Sequence, residues 1–187
     1  MFSFPNVCIK NFWRIIFIGV CLISLTGCDG IYRLLQKEGA EERDLLGEVV
    51  LHQRNEKVLE IQKLLKLYGY RIGTPDGVLG GNTRTAIESF QRAYGLKPNR
   101  FVDKVTWERL HIFDRYGLLL KGDLNIAKIQ EALKAAGINP GRVDGKLGKR
   151  TQQAIIDFQK REGLKADGKV GWQTLSHLAK YLSGRSK

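Results

Sequence analysis

The chain has 187 residues, with 31 Lys and Arg against 19 Asp and Glu, a formal net charge of +12 and 43% hydrophobic residues. This composition is that of a folded globular protein and excludes a disordered chain. The length allows one ordinary domain or two small ones, and it excludes a large α/β enzyme with accessory domains. A polytopic membrane protein is also excluded, because the one long apolar run lies at the N-terminus.

The N-terminal segment has the pattern of an export signal. Lys10 and Arg14 precede an apolar stretch, Ile15 to Leu25, and Leu25-Thr26-Gly27-Cys28 follows it. An apolar stretch of this length is too short to span a bilayer, which takes about 20 residues. The last four residues resemble the lipobox of bacterial lipoproteins, in which the cysteine is lipidated and becomes the new N-terminus.

The lipobox resemblance implies a signal peptide over 1–27, a lipid (palmitate among its acyl chains) on Cys28, and a membrane anchor on the periplasmic or outer side of the bacterial cell envelope. Asp29 resembles the enterobacterial signal that retains lipoproteins in the inner membrane. Cys8 and Cys21 would leave with the signal, so the mature chain would have no free thiol for a disulfide or a thiolate metal site. The alternatives are an ordinary secretory signal with a chance cysteine, or an uncleaved anchor.

Charge is distributed unevenly along the rest of the chain. Residues 28–56 contain 4 basic and 7 acidic side chains, whereas residues 57–187 contain 25 basic and 12 acidic ones. We therefore expect an acidic tether over 28–56 and a basic body, which suggests an anionic partner. For an exported protein the available anions are wall polymers, peptide carboxylates and lipid headgroups. The export signal and the lack of a reading helix argue against nucleic acid.

An internal repeat defines the organisation of the body. Shifting the chain by 68 residues aligns 58–110 with 126–178 without a gap, and 21 of the 53 positions are identical. The sequence thus predicts two homologous modules, module one over 57–115 and module two over 122–183.

Each module has the apolar spacing of three helices joined by loops, which predicts an all-α fold of two tandem three-helix bundles. Asn55 and Asp123 are the expected N-caps of the first helices. Gly69 and Gly137 are placed to end those helices in a left-handed conformation. No stretch shows sustained strand alternation.

The loop between the first two helices carries the most informative motif. Both modules have Asp-Gly-x-Leu-Gly-x-x-Thr, starting at Asp76 and Asp144, and Asp-Gly favours a tight turn. Together with Ile-Gln-x-x-Leu before it and Ala-Ile, Phe-Gln and Gly-Leu after it, this pattern resembles the peptidoglycan-binding domain family, the three-helix type appended to many wall hydrolases. The resemblance covers about 120 residues.

The resemblance implies non-catalytic binding of peptidoglycan by a protein that tethers membrane to wall. Guanidinium groups suit the carboxylates of stem peptides, and amides suit their backbone and N-acetyl groups. We expect the ligand-binding residues around the Asp-Gly loops, the start of the second helix and one exposed tryptophan. They are Arg142, Asp144, Gly145, Lys149, Arg150, Gln152 and Trp172 in module two, and Arg71, Asp76, Gly77, Asn82 and Arg84 in module one. A solvated basic face is the alternative for each basic residue. Gln62, Gln91, Gln130 and Gln159 are expected to satisfy buried backbone groups instead.

Module one departs from the pattern in its second loop. Asn99, Arg100 and Asp103 stand where module two has Asp167, Gly168 and Gly171. We therefore expect a different turn and weaker binding in module one. Trp107 takes the place of a core leucine, whereas Trp172 is expected to be exposed and available for stacking on a sugar.

Two other functions compete with wall binding. An enzyme is disfavoured, because no second domain follows the repeats and the three histidines, His52, His111 and His177, have no metal-ligand spacing. No cofactor and no metal are therefore expected. A protein-interaction scaffold, holding an envelope machine or a wall hydrolase, remains the alternative to glycan binding.

Overall fold

The computed structural model describes residues 35–47 and 53–183. The predicted signal peptide, Cys28 and Asp29 lie outside these residues. Within the described ranges, no helix combines the length and the apolar composition that crossing a membrane requires. The fold is all-α, as predicted, and consists of two tandem helical modules preceded by a separate helix.

The helices follow the repeat. Helix α1 spans 35–46. Module one contains α2 (Glu56–Leu67), α3 (Gly81–Ala93) and α4 (Lys104–Leu110), and module two contains α5 (Ile126–Ala135), α6 (Lys149–Arg161) and α7 (Trp172–Ser183). A 3₁₀ helix (Asp114–Tyr116) and a hairpin of two short strands, β1 (Leu119–Leu120) and β2 (Asp123–Leu124), connect the modules.

Equivalent apolar residues build the two cores. Val58, Ile61, Leu65, Phe90 and Leu110 in module one, and Ile129, Leu133, Phe158, Leu175 and Leu178 in module two, are each at most 1% exposed. These positions recur at helical spacing, so each helix turns one stripe inward and the three stripes meet. Each module is therefore stabilised by the packing of its own three helices.

The caps agree with the sequence at one module and differ at the other. The Asn55 side chain accepts hydrogen bonds from the amides of Lys57 and Val58 and caps α2, as predicted. The prediction that Asp123 caps α5 is wrong. Asp123 lies in β2 and pairs with Lys63, and Asn125 caps α5 instead. The hairpin, which sequence alternation did not reveal, delays the start of α5 by two residues.

The second loop of module one also corrects the sequence analysis. Arg100 has φ 69°, close to the 70° of its counterpart Gly168, so the two modules form the same turn. A left-handed conformation costs an L residue about 1 kcal/mol, a cost that glycine avoids. Asn99 and Asp103 keep the turn, since Asn99 accepts from the Phe101 amide and Asp103 caps α4. The expected different turn is wrong.

Candidate ligand-binding site

Four buried glutamines shape the loops around the candidate site. Gln62 and Gln130 lie on the first helix of each module, Gln91 and Gln159 lie on the second, and each is at most 2% exposed. Every one of them extends its amide into the loop that follows its helix. As predicted, these glutamines satisfy backbone groups of the loops.

Gln62 shows how the Asp-Gly loop is held. Its Nε2 donates to Asp76 Oδ1 at 2.9 Å, to the Val78 carbonyl at 3.0 Å and to Thr83 Oγ1 at 3.0 Å. Its Oε1 accepts from the amides of Asp76 at 2.9 Å and Gly77 at 2.7 Å. The Gln62 amide and the Val78 N–H donate to the Asp76 carboxylate and lower its pKa. One side chain therefore connects both ends of the loop to α2.

The same arrangement recurs three more times. Gln130 holds the Asp144-Gly145 loop through five hydrogen bonds of 3.0–3.1 Å. In the second loops, Gln91 Oε1 accepts from the Arg100 amide at 3.0 Å, and Gln159 Oε1 accepts from the Gly168 amide at 2.9 Å. Each module therefore contains two loops that are held by the same chemistry.

Four residues of the predicted ligand set belong to this framework. Asp76 and Asp144 each use Oδ1 to accept from the glutamine and from a loop amide. Gly77 is buried, and a Cβ there would lie 2.8 Å from Arg54 Cγ and 3.0 Å from the Asn55 carbonyl oxygen. The equivalent Gly145 has φ 73°. In the structure these four residues stabilise the conformation of the loop.

The polar residues predicted for module two lie in the loop before α6, for Arg142, and in the first turn of α6 for the other three. Arg142, Lys149, Arg150 and Gln152 are all exposed. The Arg150 side chain lies against the first loop, since a Cβ at Gly141 would be 3.4 Å from its Cδ. Gln152 lies against the second loop, since a Cβ at Gly168 would be 3.4 Å from its Cγ. The first turn of α6 therefore carries cations on one side and an amide on the other.

Trp172 begins α7 next to this surface and remains 36% exposed. It lines a groove with Lys165, Lys169 and Gln173 of module two. Its ring also lines a crevice toward module one, together with Tyr94 and Arg109 among other residues. An aromatic side chain in this position is available for stacking on an apolar or sugar face.

Module one presents the equivalent surface to helix α1. Glu42 of α1 is 6% exposed, and both of its carboxylate oxygens pair with the Arg84 guanidinium, with Nη2 to Oε2 at 2.7 Å. The Val102 amide donates to Glu42 Oε1 at 2.9 Å. A second ion pair joins Glu38 and Lys97. Arg84, which was predicted to contact ligand, is therefore committed to an acid of its own chain, whereas Arg71 and Asn82 are exposed.

The counterparts in module two have no such cover among the described residues. Gln152 replaces Arg84, Lys165 replaces Lys97 and Val170 replaces Val102. The Lys165 side chain is 86% exposed against 54% for Lys97, and Val170 is half-buried where Val102 is fully buried. We call Gln152, Lys165, Lys169, Val170 and Trp172 the open face of module two.

Comparison with known families agrees with this architecture. Residues 54–110 and 123–178 each match the model of the peptidoglycan binding domain, which together is more than half of the chain. The chain belongs to the peptidoglycan binding domain family. Its two copies are the two modules of the structure, so cell-wall binding is the function that the family supports. No solved structure matches the chain significantly.

The chain is also similar in sequence to a protein that is named as an amidase. The chain is 33% identical over 110 residues to the N-acetylmuramoyl-L-alanine amidase CwlM of Mycobacterium tuberculosis. The match covers 54% of this chain and 27% of the relative, so the chain spans about a quarter of that protein. Both comparisons indicate a protein of the bacterial cell envelope.

Sequence reasoning missed the docking of α1 on module one and did not single out Lys165 and Val170. The excess of acids in 28–56 was a usable signal, because a basic module is a natural partner for an acidic helix. Lys165 and Val170 carried no signal, since their importance depends on a comparison with the covered positions Lys97 and Val102.

The loop framework generates a stability prediction. Replacing Gln62 by leucine would leave the buried Gly77 N–H and the Thr83 hydroxyl without their partner, so we expect a loss of about 2–4 kcal/mol in the free energy of unfolding. Urea unfolding of the full chain measures it. The matched control is Gln152→Leu, an exposed glutamine, which should change stability by less than about 0.5 kcal/mol. Equal effects would contradict the proposed role of Gln62.

Proposed function

We propose that this protein is a lipid-anchored, non-catalytic peptidoglycan-binding protein of the cell envelope, and that the open face of module two is its principal binding surface. The observation that carries this proposal is the difference between two homologous surfaces. In module one the surface is filled by an acidic helix of the same chain, whereas in module two none of the described residues covers it.

The contact in module one indicates which chemistry this surface selects. The Glu42 carboxylate accepts hydrogen bonds from the Arg84 guanidinium and from the backbone amide of Val102. Such a charge-assisted, bidentate arrangement is the usual way to recognise a carboxylate. Helix α1 thus occupies the surface of module one as an acidic peptide would. Peptidoglycan stem peptides offer the same groups, free carboxylates and peptide carbonyls.

The open face of module two carries a related set of groups, in which an amide replaces the guanidinium of module one. Gln152 supplies an amide, Lys165 and Lys169 supply cations, and Trp172 supplies an aromatic surface. These groups suit a stem peptide attached to an N-acetylated sugar, with the tryptophan against the sugar ring. Arg142, Lys149 and Arg150 extend the cationic surface toward the first loop. In module one the equivalent positions are uncharged: Thr74, Gly81 and Asn82 stand where module two has Arg142, Lys149 and Arg150.

Two features support a binding role without catalysis. The family is a binding domain, and two copies of it account for most of the described residues. The amidase relative is almost four times as long as the matched portion, so its activity is a property of that protein and is not transferred here. The proposed work of the chain is attachment.

The anchor would hold the modules close to the membrane. If Cys28 carries the lipid and α1 is docked on module one, residues 29–34 are the connection between them. Fully extended, six residues span about 22 Å. Docking of α1 therefore shortens the reach that an extended 28-residue tether would have, about 100 Å. On this proposal the protein binds wall strands that lie near the membrane surface.

The first test is retention of the full chain, carrying Cys28→Ser to keep it soluble, on purified and protein-free sacculi. We expect Lys165→Ala to lower the apparent affinity about five-fold, equivalent to about 1 kcal/mol for a partly exposed charged contact. The matched control Lys97→Ala removes the same charge at the equivalent position of module one. It should not lower retention, because Lys97 pairs with the buried Glu38 of α1, whereas Lys165 is 86% exposed and its pair with Asp167 is longer, at 3.6 Å.

The other arms separate specific binding from charge attraction. The Arg142→Ala/Arg150→Ala double variant should also bind less, and the remaining charge contribution should weaken with salt over a screening length of about 10 Å at 0.1 M. Equal losses for Lys165→Ala and Lys97→Ala would show unspecific attraction. No retention of the parent chain at low salt would contradict wall binding and favour the protein-interaction scaffold.

The second test concerns the anchor. Acyl chains contribute about 0.8 kcal/mol per buried methylene, so a multiply acylated Cys28 should hold the protein on membranes through salt and carbonate washes. Cys28→Ser should move the protein to the soluble fraction or leave the precursor unprocessed, as measured by fractionation of cells. A Cys28→Ser protein that is processed normally and stays in the membrane fraction would contradict the anchor.

A further inference from the structure

Three ligand-type side chains meet beside the connection between the modules. Glu60 comes from α2, His111 follows α4, and Asp114 begins the 3₁₀ helix. One nitrogen or oxygen atom of each lies within 4.8 Å of the others. His111 and Glu60 are largely buried, with side chains 10% and 17% exposed. None of the three belongs to the open face of module two.

The orientation of the His111 ring decides which of its atoms faces the carboxylates. Nδ1 lies 2.8 Å from the Trp107 carbonyl oxygen, which only accepts, so Nδ1 carries a hydrogen. In the neutral imidazole, Nε2 then has a free lone pair. That Nε2 lies 3.3 Å from Glu60 Oε1. Two hydrogen-bond acceptors then face each other without a hydrogen between them. The Trp107 indole stacks on the imidazole with centroids 4.0 Å apart and fixes this orientation.

Asp114 provides a second, independent observation. Its Oδ1 is buried and has no hydrogen-bond partner among the residues that the structure describes. A buried acceptor without a partner costs about 1–3 kcal/mol. A proton on His111 Nε2 would satisfy Glu60 and still leave Asp114 Oδ1 without a partner. A cation held by the three side chains would give His111 Nε2 and Glu60 Oε1 a shared partner and would place a positive charge at the Asp114 carboxylate.

We propose that Glu60, His111 and Asp114 form a binding site for a divalent metal ion of the zinc class. One imidazole nitrogen with two carboxylate oxygens is a donor set that Zn²⁺ accepts, whereas Ca²⁺ and Mg²⁺ prefer oxygen alone. Adjacent ligands of a tetrahedral zinc lie roughly 3.3 Å apart, which is the distance between His111 Nε2 and Glu60 Oε1. The bond from Nδ1–H to a backbone carbonyl is the usual support of a metal-bound histidine.

The ion would fasten the connection between the modules to module one. Gly122, at the turn of the hairpin, packs against the same helix, since a Cβ there would lie 3.0 Å from the Glu60 carbonyl oxygen. Module two has Lys128, Ala179 and Leu182 at the positions equivalent to the three ligands. The site is therefore specific to the junction, where it would fix the direction in which module two leaves module one.

The experiment is a zinc titration of the untagged full chain after removal of metal with a chelator, followed by calorimetry and by measurement of bound metal. We expect one zinc per chain and an increase in thermal stability on binding. His111→Ala should abolish this binding, and Glu60→Gln, which preserves size, should weaken it at least about ten-fold. A large excess of Mg²⁺ should not compete.

The matched control is His177→Ala in module two. His177 also contacts a carboxylate, at 3.0 Å from Glu162, but Tyr181 and Arg161 already donate to that carboxylate. Its removal should leave zinc binding unchanged. Circular dichroism confirms that each variant is folded before titration. The proposal is overturned if the parent chain binds no zinc, if folded His111→Ala binds it equally, or if His177→Ala removes the binding.

Discussion

The structure depends on one repeated interaction, the amide of a buried glutamine that closes the loop following its helix. Gln62 and Gln130 each bind both an Asp-Gly turn and the threonine in the first turn of the next helix. A three-helix bundle of this size has a small core, so loops with unsatisfied backbone groups would open readily. The glutamines give these loops a fixed shape. The exposed residues at the start of α3 and α6 are consequently held at defined positions on a rigid support.

On that common framework the two modules have diverged in what they present. Module one carries Arg84, whose guanidinium together with the Val102 amide holds Glu42 of helix α1. Module two carries Gln152 in place of Arg84 and an exposed Lys165 in place of Lys97, which pairs with Glu38 of α1. The difference is a matter of a few side chains and one additional helix, and it requires no change in the bundle. Duplication of a module thus yields one surface that contacts its own chain and one that remains open to a partner.

The sequence predicted the repeat, the helical fold and the structural role of the glutamines, because these follow from local spacing. It failed where the answer depends on distant parts of the chain. The docking of α1 joins Glu42 to Arg84, 42 residues away, and no local pattern reveals such a pairing. Arg100 was misjudged for a different reason. The Gln91 framework holds the turn so firmly that a strained arginine replaces a glycine there without altering it. His111 and Glu60 are 51 residues apart, so their meeting was also hidden.

The central claim, that the open face of module two binds the peptide and sugar of the wall while α1 covers its counterpart, is tested most directly by NMR. The backbone amide signals of the isotope-labelled full chain, carrying Cys28→Ser, would be followed during titration with a soluble disaccharide-peptide fragment of peptidoglycan. We expect the chemical-shift changes to be concentrated at Gln152, Lys165 and Val170 and at the Trp172 indole. The signals of Arg84, Lys97 and Val102 should change little. Shifts concentrated at the module one positions, or none at either surface, would contradict it.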